Sequence, residues 1–380
     1  MRIGFISGEF PPQRGGVGDY TRHLSQHLAN RGLAIHILSH REARSSDERI
    51  HLHPRINHWG GRALQQCRAW ADELNLDFVH LQYQTAAYAM SPWVHFLPQA
   101  LRPRTITTFH DLRAPYLFPK AGPLRKLSVR WLARASAGII LAGPQDREAL
   151  APHPHSCVIP VGSNILAPLP ADFDAATTRA QHGADRDDFV LAHFGFAHES
   201  KGFTDLLAAL SQLRKSGVPA ILWFIGALLG DSDRQNRAAL AQLQGEIERL
   251  ALSPWVRMSG YLEEDQVRAA LTAADVVVLP YRDGAAYHHG SLQAALHAGC
   301  AIVTTRPQST ATAFQDGVNL RLVPVDDAYA LATVLRDLYL RPKQRETLQT
   351  GALALAAEFS WENIAQRHET FYRALRATAR

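Results

Sequence analysis

Residues 1–20 read MRIGFISGEF PPQRGGVGDY, and they contain the pattern from which the fold class is predicted. Its apolar run, Ile3–Ser7, predicts a buried β-strand. The residues that follow at the spacing of one helical face are Val17, Tyr20, Leu24 and Leu28. Gly32 lies just beyond that face and fits a C-terminal helix cap. A strand, a glycine-rich turn and a helix in this order begin a βαβ unit, so the segment predicts an α/β fold with a parallel sheet.

The same alternation of short apolar runs and helical periodicity continues along the 380 residues and predicts two doubly wound arrays. The further strands predicted in the first half are Ala34–Ser39, Phe78–Gln82, Thr105–Phe109, Ile139–Leu141 and Cys157–Pro160. Those predicted in the second half are Phe189–Phe194, Ile221–Ile225, Val256–Met258, Val276–Leu279 and Ala301–Thr305. The Gly- and Pro-rich stretch from Val161 to Pro170 interrupts the pattern, so we expect Rossmann-like domains at 1–164 and 170–360.

Composition narrows the class of protein and the compartment. The formal net charge is +5 and no basic run alternates with aromatic residues, so we expect no nucleic-acid partner. The three cysteines have no metal-ligand spacing: Cys67, Cys157 and Cys300. The chain opens on a strand without the pattern of a signal peptide, and it has no run of about 18 apolar residues. We therefore expect a cytoplasmic protein, whose basic charge suits anionic small molecules or an anionic membrane surface.

Two consecutive glycines, Gly15 and Gly16, stand at the turn into the first helix. Glycines at a helix start let backbone N–H groups approach a phosphate at the positive end of the helix dipole. A simple tight turn is the alternative interpretation. The stretch lacks the G-x-G-x-x-G fingerprint, which argues against a nicotinamide-dependent oxidoreductase. Because open α/β sheets bind ligands at the carboxyl ends of their strands, the two arrays predict a ligand site between the domains.

Several sequence blocks, taken together, resemble family 4 glycosyltransferases of the group 1 type, which have the GT-B fold. They are Gly15-Gly16-Val17-Gly18-x-Tyr20, Thr108-Phe109-His110-Asp111, Ile159-Pro160-Val161-Gly162-Ser163-Asn164, Gly195-x5-Lys201-Gly202, Gly260-Tyr261-Leu262, Ala274–Tyr281 and Phe359-Ser360-Trp361. The blocks span nearly the whole chain in the family's order. The resemblance implies two Rossmann-like domains that face each other across a cleft, with the terminal helix, residues 361–380, crossing back to the first domain.

The resemblance also implies a reaction. Members transfer a hexosyl group from a nucleotide diphosphate sugar to an acceptor hydroxyl with retention of anomeric configuration, and the acceptor here would be a glycan, a lipid-linked glycan or a small molecule. We expect no metal cofactor. His288 and His289 have no third ligand at a sensible spacing, and a helix N-terminus with a lysine can hold the diphosphate without Mg²⁺.

The family's site residues fall on matching positions of this sequence. His110 corresponds to a histidine that holds the donor sugar, and Lys201, after Gly195, to a cation at the leaving diphosphate. Tyr261 and Leu262 correspond to a turn that contacts the base. The residues whose amides begin the next helix and should face the diphosphate are Gly290, Ser291 and Leu292. A surface histidine, a solvated lysine and an N-cap serine are the alternative interpretations.

One segment departs from the family. Members usually carry two glutamates that fall here on Ala286 and Ala294, counted back from Gly299. Counted from the preceding strand, Asp283 matches the first glutamate and is the candidate for the sugar-facing role. Gln293 lies one residue from the second slot, which turns a helical side chain by about 100°. The missing glutamates keep open a second function, that of a non-catalytic GT-B protein which binds a nucleotide or a glycan.

The helix expected near residues 120–134 has a basic amphipathic pattern. Its cations are Lys120, Arg125, Lys126, Arg130 and Arg134, and we place Leu124, Leu127 and Trp131 on another face. Such a helix can lie peripherally on an anionic inner membrane face, near a lipid-linked acceptor. The alternative is an ordinary surface helix whose apolar face packs on its own sheet.

Overall fold

The computed structural model describes residues 1–13, 15–101, 104–112, 122–150, 152–195, 197–226, 234–309 and 312–378. The chain divides into two compact units. Unit 1 consists of Met1–Asn164 together with Ser360–Arg380, and unit 2 consists of Ile165–Phe359. Each unit has its own parallel β-sheet and its own helices, as the alternation of apolar runs predicts.

Unit 1 is built on a sheet that has seven parallel strands over the described residues. These are β1 (Arg2–Ser7), β2 (Ala34–His40), β3 (Ile50–Ile56), β4 (Phe78–Tyr83), β5 (Arg104–Phe109), β6 (Gly138–Leu141) and β7 (Ser156–Val158). The helices among them are α1 (Gly16–Asn30), α2 (Gly61–Glu73), α3 (Leu97–Ala100), α4 (Gly122–Ala135) and α5 (Asp146–Ala149). The strand order is β3-β2-β1-β4-β5-β6-β7. Since β1 lies in the middle of the sheet and is buried from Ile3 to Ser7, its sequence is a continuous apolar run rather than an alternating one.

Unit 2 repeats this plan with six parallel strands over its described part. These are β8 (Phe189–Phe194), β9 (Ala220–Ile225), β10 (Val256–Met258), β11 (Val276–Leu279), β12 (Ile302–Thr305) and β13 (Arg321–Val323), in the order β10-β9-β8-β11-β12-β13. The helices are α6 (Ala175–Gln181), α7 (Phe203–Lys215), α8 (Arg234–Arg249), α9 (Glu264–Ala273), α10 (Gly290–His297), α11 (Ala328–Leu340) and α12 (Pro342–Glu358), and α13 (Trp361–Ala377) follows in unit 1. In both sheets the strand order reverses next to the first strand, as in doubly wound nucleotide-binding folds.

Helix α13, the last of the chain, packs against α1 in unit 1. The Trp361 indole N–H donates to the Ser163 carbonyl oxygen at 2.7 Å. The Tyr372 hydroxyl lies 2.6 Å from Nδ1 of His80, whose side chain is buried in β4. These contacts confirm the predicted return of the terminal helix to the first domain.

Two observed strands lie outside the predicted set, β3 and β13, and both are edge strands of their sheets. In β3, only the two terminal residues are buried, and the strand contains Pro54. Proline is tolerated at a sheet edge because it has no N–H to give to the ladder. β3 therefore lacks the apolar run on which the prediction rests, whereas the other two edge strands, β7 and β10, were predicted.

Helix α4 is oriented differently from the expectation. Its buried residues are Val129, Leu132 and Ala133. Leu127 and Trp131 are exposed, and their spacing from Arg130 and Arg134 places all four on one face of the helix. For these four residues, the expectation that the apolar and basic side chains lie on different faces is therefore wrong. Lys120 lies outside the described residues, and so do the side chains of Leu124, Arg125 and Lys126. Within the part of the chain that is described, no helix is both long enough and apolar enough to cross a bilayer.

Candidate functional site

The reversal of strand order in unit 2 brings the ends of β8 and β11 side by side. Gly195 directly follows β8, and Pro280 and Tyr281 directly follow β11. Doubly wound sheets bind their ligands at the carboxyl ends of strands at this point of reversal, because the connections on its two sides leave a crevice between them. This edge of unit 2 is therefore where predicted donor-binding residues can meet.

Lys201 ends a short 3-10 turn, Glu199–Lys201, that leads into α7. The next residue, Gly202, has a φ angle of +64°, and a Cβ there would stand 2.0 Å from the Pro280 carbonyl oxygen. Only glycine fits a left-handed position so close to another backbone. The contact places Lys201 beside the end of β11, where its Nζ lies 4.7 Å from the centre of the Tyr281 ring in cation–π geometry.

Tyr281 connects Lys201 with the start of α10. Its hydroxyl lies 2.6 Å from Oγ of Ser291. Burial raises the pKa of Tyr281, so the phenol remains protonated and able to donate. On the other side, a Cβ at Gly195 would stand 3.7 Å from Cβ of Ser291. The structure thus brings together three of the predicted site residues, Gly195, Lys201 and Ser291, and we call them with Tyr281 the strand-end cluster.

Helix α10 begins at Gly290, and His289 is its N-cap residue. The hydroxyl of Ser291 contacts Tyr281 instead of capping the helix, so the interpretation of Ser291 as an N-cap is wrong. The Leu292 amide donates to the His289 carbonyl oxygen at 3.0 Å and is therefore already used, which corrects the expectation for Leu292. The positive end of the α10 dipole nevertheless lies at the strand-end cluster, since the helix starts next to it.

Asp283 lies in the loop between β11 and α10. The following residue, Gly284, has a φ angle of +77°, and a Cβ there would stand 2.5 Å from the Arg306 carbonyl oxygen, so this turn also requires glycine. Oδ1 of Asp283 is 3.8 Å from Nε2 of His289. The His289 ring in turn lies against the Tyr281 ring, with 3.8 Å between their centres. The loop thereby holds a carboxylate and an imidazole beside the strand-end cluster.

The two positions where the family carries glutamates hold buried alanines. Ala286 and Ala294 are both buried, and Ala294 lies in an apolar cluster of unit 2. Gln293, next to the second of them, is buried too, and its Nε2 donates to the Tyr287 carbonyl oxygen at 3.0 Å. Gln293 therefore holds the loop before α10 in place and does not replace the missing glutamate.

Tyr261 and Leu262 follow β10, which is separated from β8 by β9. Tyr261 is exposed, and its hydroxyl donates to the Glu263 carboxylate at 3.4 Å. Leu262 is half-buried and packs against the core of unit 2. The structure therefore places this pair at a different position along the sheet edge from the strand-end cluster.

In unit 1, the turn before α1 contains a carboxylate that the sequence patterns did not single out. Oε1 of Glu9 accepts hydrogen bonds from the amides of Val17, at 2.9 Å, and Gly18, at 3.2 Å. Burial raises the pKa of Glu9, and the two amide bonds partly offset this effect. A Cβ at Gly15 would stand 2.3 Å from the Glu9 carboxyl group, whereas a Cβ at Gly16 would meet nothing within 4 Å. The first amides of α1 at Val17 and Gly18 are therefore occupied by Glu9, Gly15 makes room for that carboxylate, and Gly16 remains the open position of the turn.

His110 follows β5, and its Nε2 lies 2.8 Å from Oε1 of Gln82, at the end of the neighbouring β4. Tyr20 of α1 approaches the His110 ring edge-on, with 4.7 Å between the ring centres. Burial lowers the pKa of His110 to about 3, so the imidazole is neutral at physiological pH. Sequence reasoning missed Gln82, although a polar residue that ends an apolar strand at the carboxyl edge is a usable signal.

Over the described residues, no group of three or more His, Cys, Asp or Glu side chains is placed to hold a metal ion.

Both halves of the chain match glycosyltransferase family models: residues 14–165 match one described as Glycosyltransferase Family 4, and residues 174–353 match one described as Glycosyl transferases group 1. D-inositol 3-phosphate glycosyltransferase 1 from Catenulispora acidiphila is 29% identical over 205 residues, which are 54% of this chain and 48% of that protein. The chain spans about half the length of the curated relatives that it matches.

Solved structures with low sequence identity share the fold. Sucrose-phosphate synthase from Thermosynechococcus elongatus gives a TM-score of 0.81 at 20% identity, and the match covers 100% of both chains. HepE from Anabaena, solved in complex with UDP and glucose, gives a TM-score of 0.76 at 17% identity, and the match covers 98% of this chain and 100% of the HepE chain. These neighbours have the GT-B fold, so the predicted fold class is confirmed.

Proposed function

Both halves of this GT-B chain match glycosyltransferase families, and from this premise we propose that it transfers a hexosyl group from a nucleotide diphosphate sugar to an acceptor hydroxyl. The proposal includes retention of anomeric configuration and an acceptor that is a glycan, a lipid-linked glycan or a small molecule. The observation that carries it is the strand-end cluster at the start of α10.

The strand-end cluster suits a diphosphate by charge and by shape. Lys201 supplies a full positive charge, and the first amides of α10, from Gly290 and Ser291, lie at the positive end of the helix dipole. Gly195 has no side chain, so a phosphate can come close to the end of β8. Negative charge grows on the departing diphosphate during transfer, and these groups therefore stabilise the transition state more than the bound donor.

We propose that Asp283 binds hydroxyls of the donor sugar. A carboxylate accepts hydrogen bonds from sugar hydroxyls, and His289, 3.8 Å away, restricts its orientation. In this assignment, Asp283 with His289 takes over the role that the family gives to its first glutamate. This assignment replaces the glutamate that falls on Ala286, and the slot of the second glutamate is held by the buried Ala294.

His110 is assigned to the sugar as well, as a neutral hydrogen-bonding group. Because Gln82 Oε1 can only accept, the His110 proton is on Nε2, and Nδ1 keeps a lone pair for a sugar hydroxyl. In the transfer step, the acceptor oxygen forms a bond to the anomeric carbon while the bond from that carbon to the diphosphate breaks. The acceptor proton passes to an oxygen of the leaving diphosphate, so the protein positions the reactants and stabilises charge.

The proposal is tested with a panel of UDP-, GDP- and ADP-sugars, and HepE with its UDP and glucose makes UDP-glucose the first choice. We expect one donor to raise the melting temperature and to be consumed when a suitable acceptor is added. Nuclear magnetic resonance of the product then gives its anomeric configuration. An inverted product would contradict retention. Donor binding without hydrolysis or transfer across a broad acceptor set would instead support a non-catalytic GT-B binding protein.

A further inference from the structure

Close to His110, the interior of unit 1 contains polar side chains where apolar ones would also pack. The terminal helix α13 packs against α1 and buries His368 and Tyr372 completely. A buried polar group costs free energy unless it is hydrogen-bonded, whereas an apolar side chain of similar size has no such requirement. The two polar side chains of α13 therefore indicate a role besides packing.

His368 and Tyr20 form a hydrogen-bonded line that ends at the His110 ring. Nδ1 of His368 lies 2.8 Å from the Ile364 carbonyl oxygen, which can only accept, so the proton is on Nδ1. Nε2 of His368 is then an acceptor, and the Tyr20 hydroxyl, 3.3 Å away, donates to it. Burial raises the pKa of Tyr20 and lowers the pKa of His368 to about 4, so both side chains are neutral at physiological pH and the direction of each bond is fixed.

The Tyr20 ring is held on one side and contacts His110 on the other. Its hydroxyl is bonded to α13, and the Trp361 ring at the start of the same helix lies 5.2 Å from it, measured between ring centres. The Tyr20 ring meets the His110 imidazole edge-on at 4.7 Å, an arrangement that aromatic rings prefer. Because Gln82 bonds Nε2 of His110, Tyr20 and Gln82 together restrict the orientation of the imidazole.

A second hydrogen-bonded line runs from α13 to β5 and ends two residues before His110. The Tyr372 hydroxyl lies 2.6 Å from Nδ1 of His80, and Nε2 of His80 lies 2.7 Å from Oγ1 of Thr108. The side chains of His80 and Thr108 are both buried. Helix α13 is thus bonded to the strand that precedes His110 as well as to the ring that contacts it.

We propose that His368 is a positioning residue that acts through Tyr20 to orient the His110 imidazole. The consequence for transfer rests on the proposed function, whereas the orientation is a property of the free protein. Packing alone explains the line less completely, because a phenylalanine and a leucine at the two positions would fill the interior without needing hydrogen bonds. The terminal helix thereby supports a side chain that we propose binds the donor sugar.

The test follows the His110 imidazole in the free protein by nuclear magnetic resonance of chains with isotope-labelled histidine. The His110 signal is assigned by its loss in His110→Gln. We expect the Nε2 proton of His110 to exchange with water at least about tenfold faster in Tyr20→Phe and in His368→Leu than in the wild type, because the ring is held less firmly. An unchanged exchange rate in folded His368→Leu would overturn the proposal.

The chain offers a matched control, the pair of Tyr83 and His95. There too, a tyrosine hydroxyl lies 2.8 Å from Nε2 of a buried histidine. Tyr83→Phe and His95→Leu remove this bond and should leave the exchange of the His110 proton as in the wild type. His368→Gln keeps an acceptor for Tyr20 and should restore the wild-type rate. If His95→Leu speeds the exchange as much as His368→Leu does, the effect is general destabilisation and the proposal is wrong.

Melting temperature and kinetics separate positioning from packing. Tyr20→Phe combined with His368→Leu removes both partners of the bond, so the double variant should melt at a higher temperature than Tyr20→Phe alone. Its kcat should nevertheless stay lowered by about tenfold or more, because His110 is no longer aligned. If kcat returns to the wild-type value together with the melting temperature, the proposal is wrong. If the wild type consumes no donor while the proton exchange responds as expected, the proposed function fails and the positioning role stands.

Discussion

Gln82 illustrates how a buried amide determines the state of a neighbouring histidine. It is fully buried, its Oε1 is bonded to His110 Nε2, and its own Nε2 has no hydrogen-bond partner among the described residues. Because an amide oxygen only accepts, this contact fixes the tautomer of His110. Gln82 therefore acts as a positioning residue for a side chain that we assign to the donor sugar.

Replacing Gln82 should change the pH dependence of transfer. Gln82→Glu places a negative charge beside Nε2, which favours the imidazolium and raises the pKa of His110 from about 3. Activity of the variant should then fall as the pH is lowered, over a range where the wild type is constant, and Gln82→Ala should lose about 10-fold or more in kcat at all pH values. The measurement is the pH profile of kcat/KM. Gln84→Ala, two residues on in the chain, is the control, and identical profiles for Gln82→Glu and the wild type would exclude this role.

Sequence reasoning at this scale found residues with a family counterpart and missed those defined by their neighbours in space. Lys201 and His110 follow predicted strands, so their positions could be expected. The roles of Glu9, Gln82 and His289 depend on contacts made across the fold, such as that of Gln82 with a residue 28 positions away, which the sequence alone does not give. For the same reason, the sequence left two roles open for Ser291, because its contact with the Tyr281 hydroxyl requires β11 and α10 to be in place.

In the turn from β1 into α1, the two glycines Gly15 and Gly16 have different roles. Gly15 leaves the space that the Glu9 carboxylate occupies, and the carboxylate then serves the amides of Val17 and Gly18 in place of an N-cap side chain. Gly16 faces open space. The first glycine is therefore a structural requirement, and the second is available for a ligand.

This difference predicts opposite results for two alanine substitutions. Gly15→Ala should displace the Glu9 carboxylate and lower the free energy of unfolding by about 1–2 kcal/mol, the cost of losing a helix cap. Gly16→Ala should leave stability unchanged but weaken substrate binding if this turn contacts the ligand. Urea unfolding and the KM for the donor measure the two effects. Equal stability of the two variants would show that Glu9 is not the cap of α1.

The element scale is also where the sequence was most informative. Strands that are covered on both faces, such as β1 and β9, are continuous apolar runs and were predicted within a residue of their observed bounds. The edge strand β3 has an exposed side and a proline, so its residues do not form such a run. The prediction missed β3 for a physical reason, since this strand is held by pairing with β2 rather than by an apolar run of its own.

For the whole molecule, buried histidines make stability depend on pH. In unit 1, burial lowers the pKa of His23 to about 3 and that of His368 to about 4, and it places the pKa of His80 well below its usual range. In unit 2, burial lowers the pKa of His193 to about 3. All four side chains are buried. The folded state therefore keeps these imidazoles neutral, whereas the unfolded chain protonates them near their ordinary pKa of about 6.5.

Acidification should consequently destabilise unit 1 more than unit 2. Since these pKa values are depressed in the folded state, their stabilising contribution is complete above about pH 7.5 and is lost as the pH falls through 6.5 toward 4 or 3. At pH 5.5 each histidine of this kind should cost about 1.4 kcal/mol, and unit 1 contains more of them than unit 2, since the pKa of His110 is also lowered to about 3, so unit 1 should lose several times as much stability as unit 2. Hydrogen exchange of peptides from β4 and β8 at pH 7.5 and 5.5, corrected for the intrinsic exchange rate, measures the loss of stability in unit 1 and in unit 2. An equal loss of protection in the two strands would contradict the prediction.

Calorimetric titration with UDP, GDP and ADP tests whether the strand-end cluster holds the diphosphate of the donor. We predict that at least one of these diphosphates binds and that the corresponding monophosphate binds more weakly. Lys201→Ala should lower the affinity for the diphosphate by about 10- to 100-fold and leave the melting temperature unchanged. Lys215→Ala, a lysine at the other end of α7, is the control. If Lys201→Ala binds the diphosphate as tightly as the wild type, the claim is wrong.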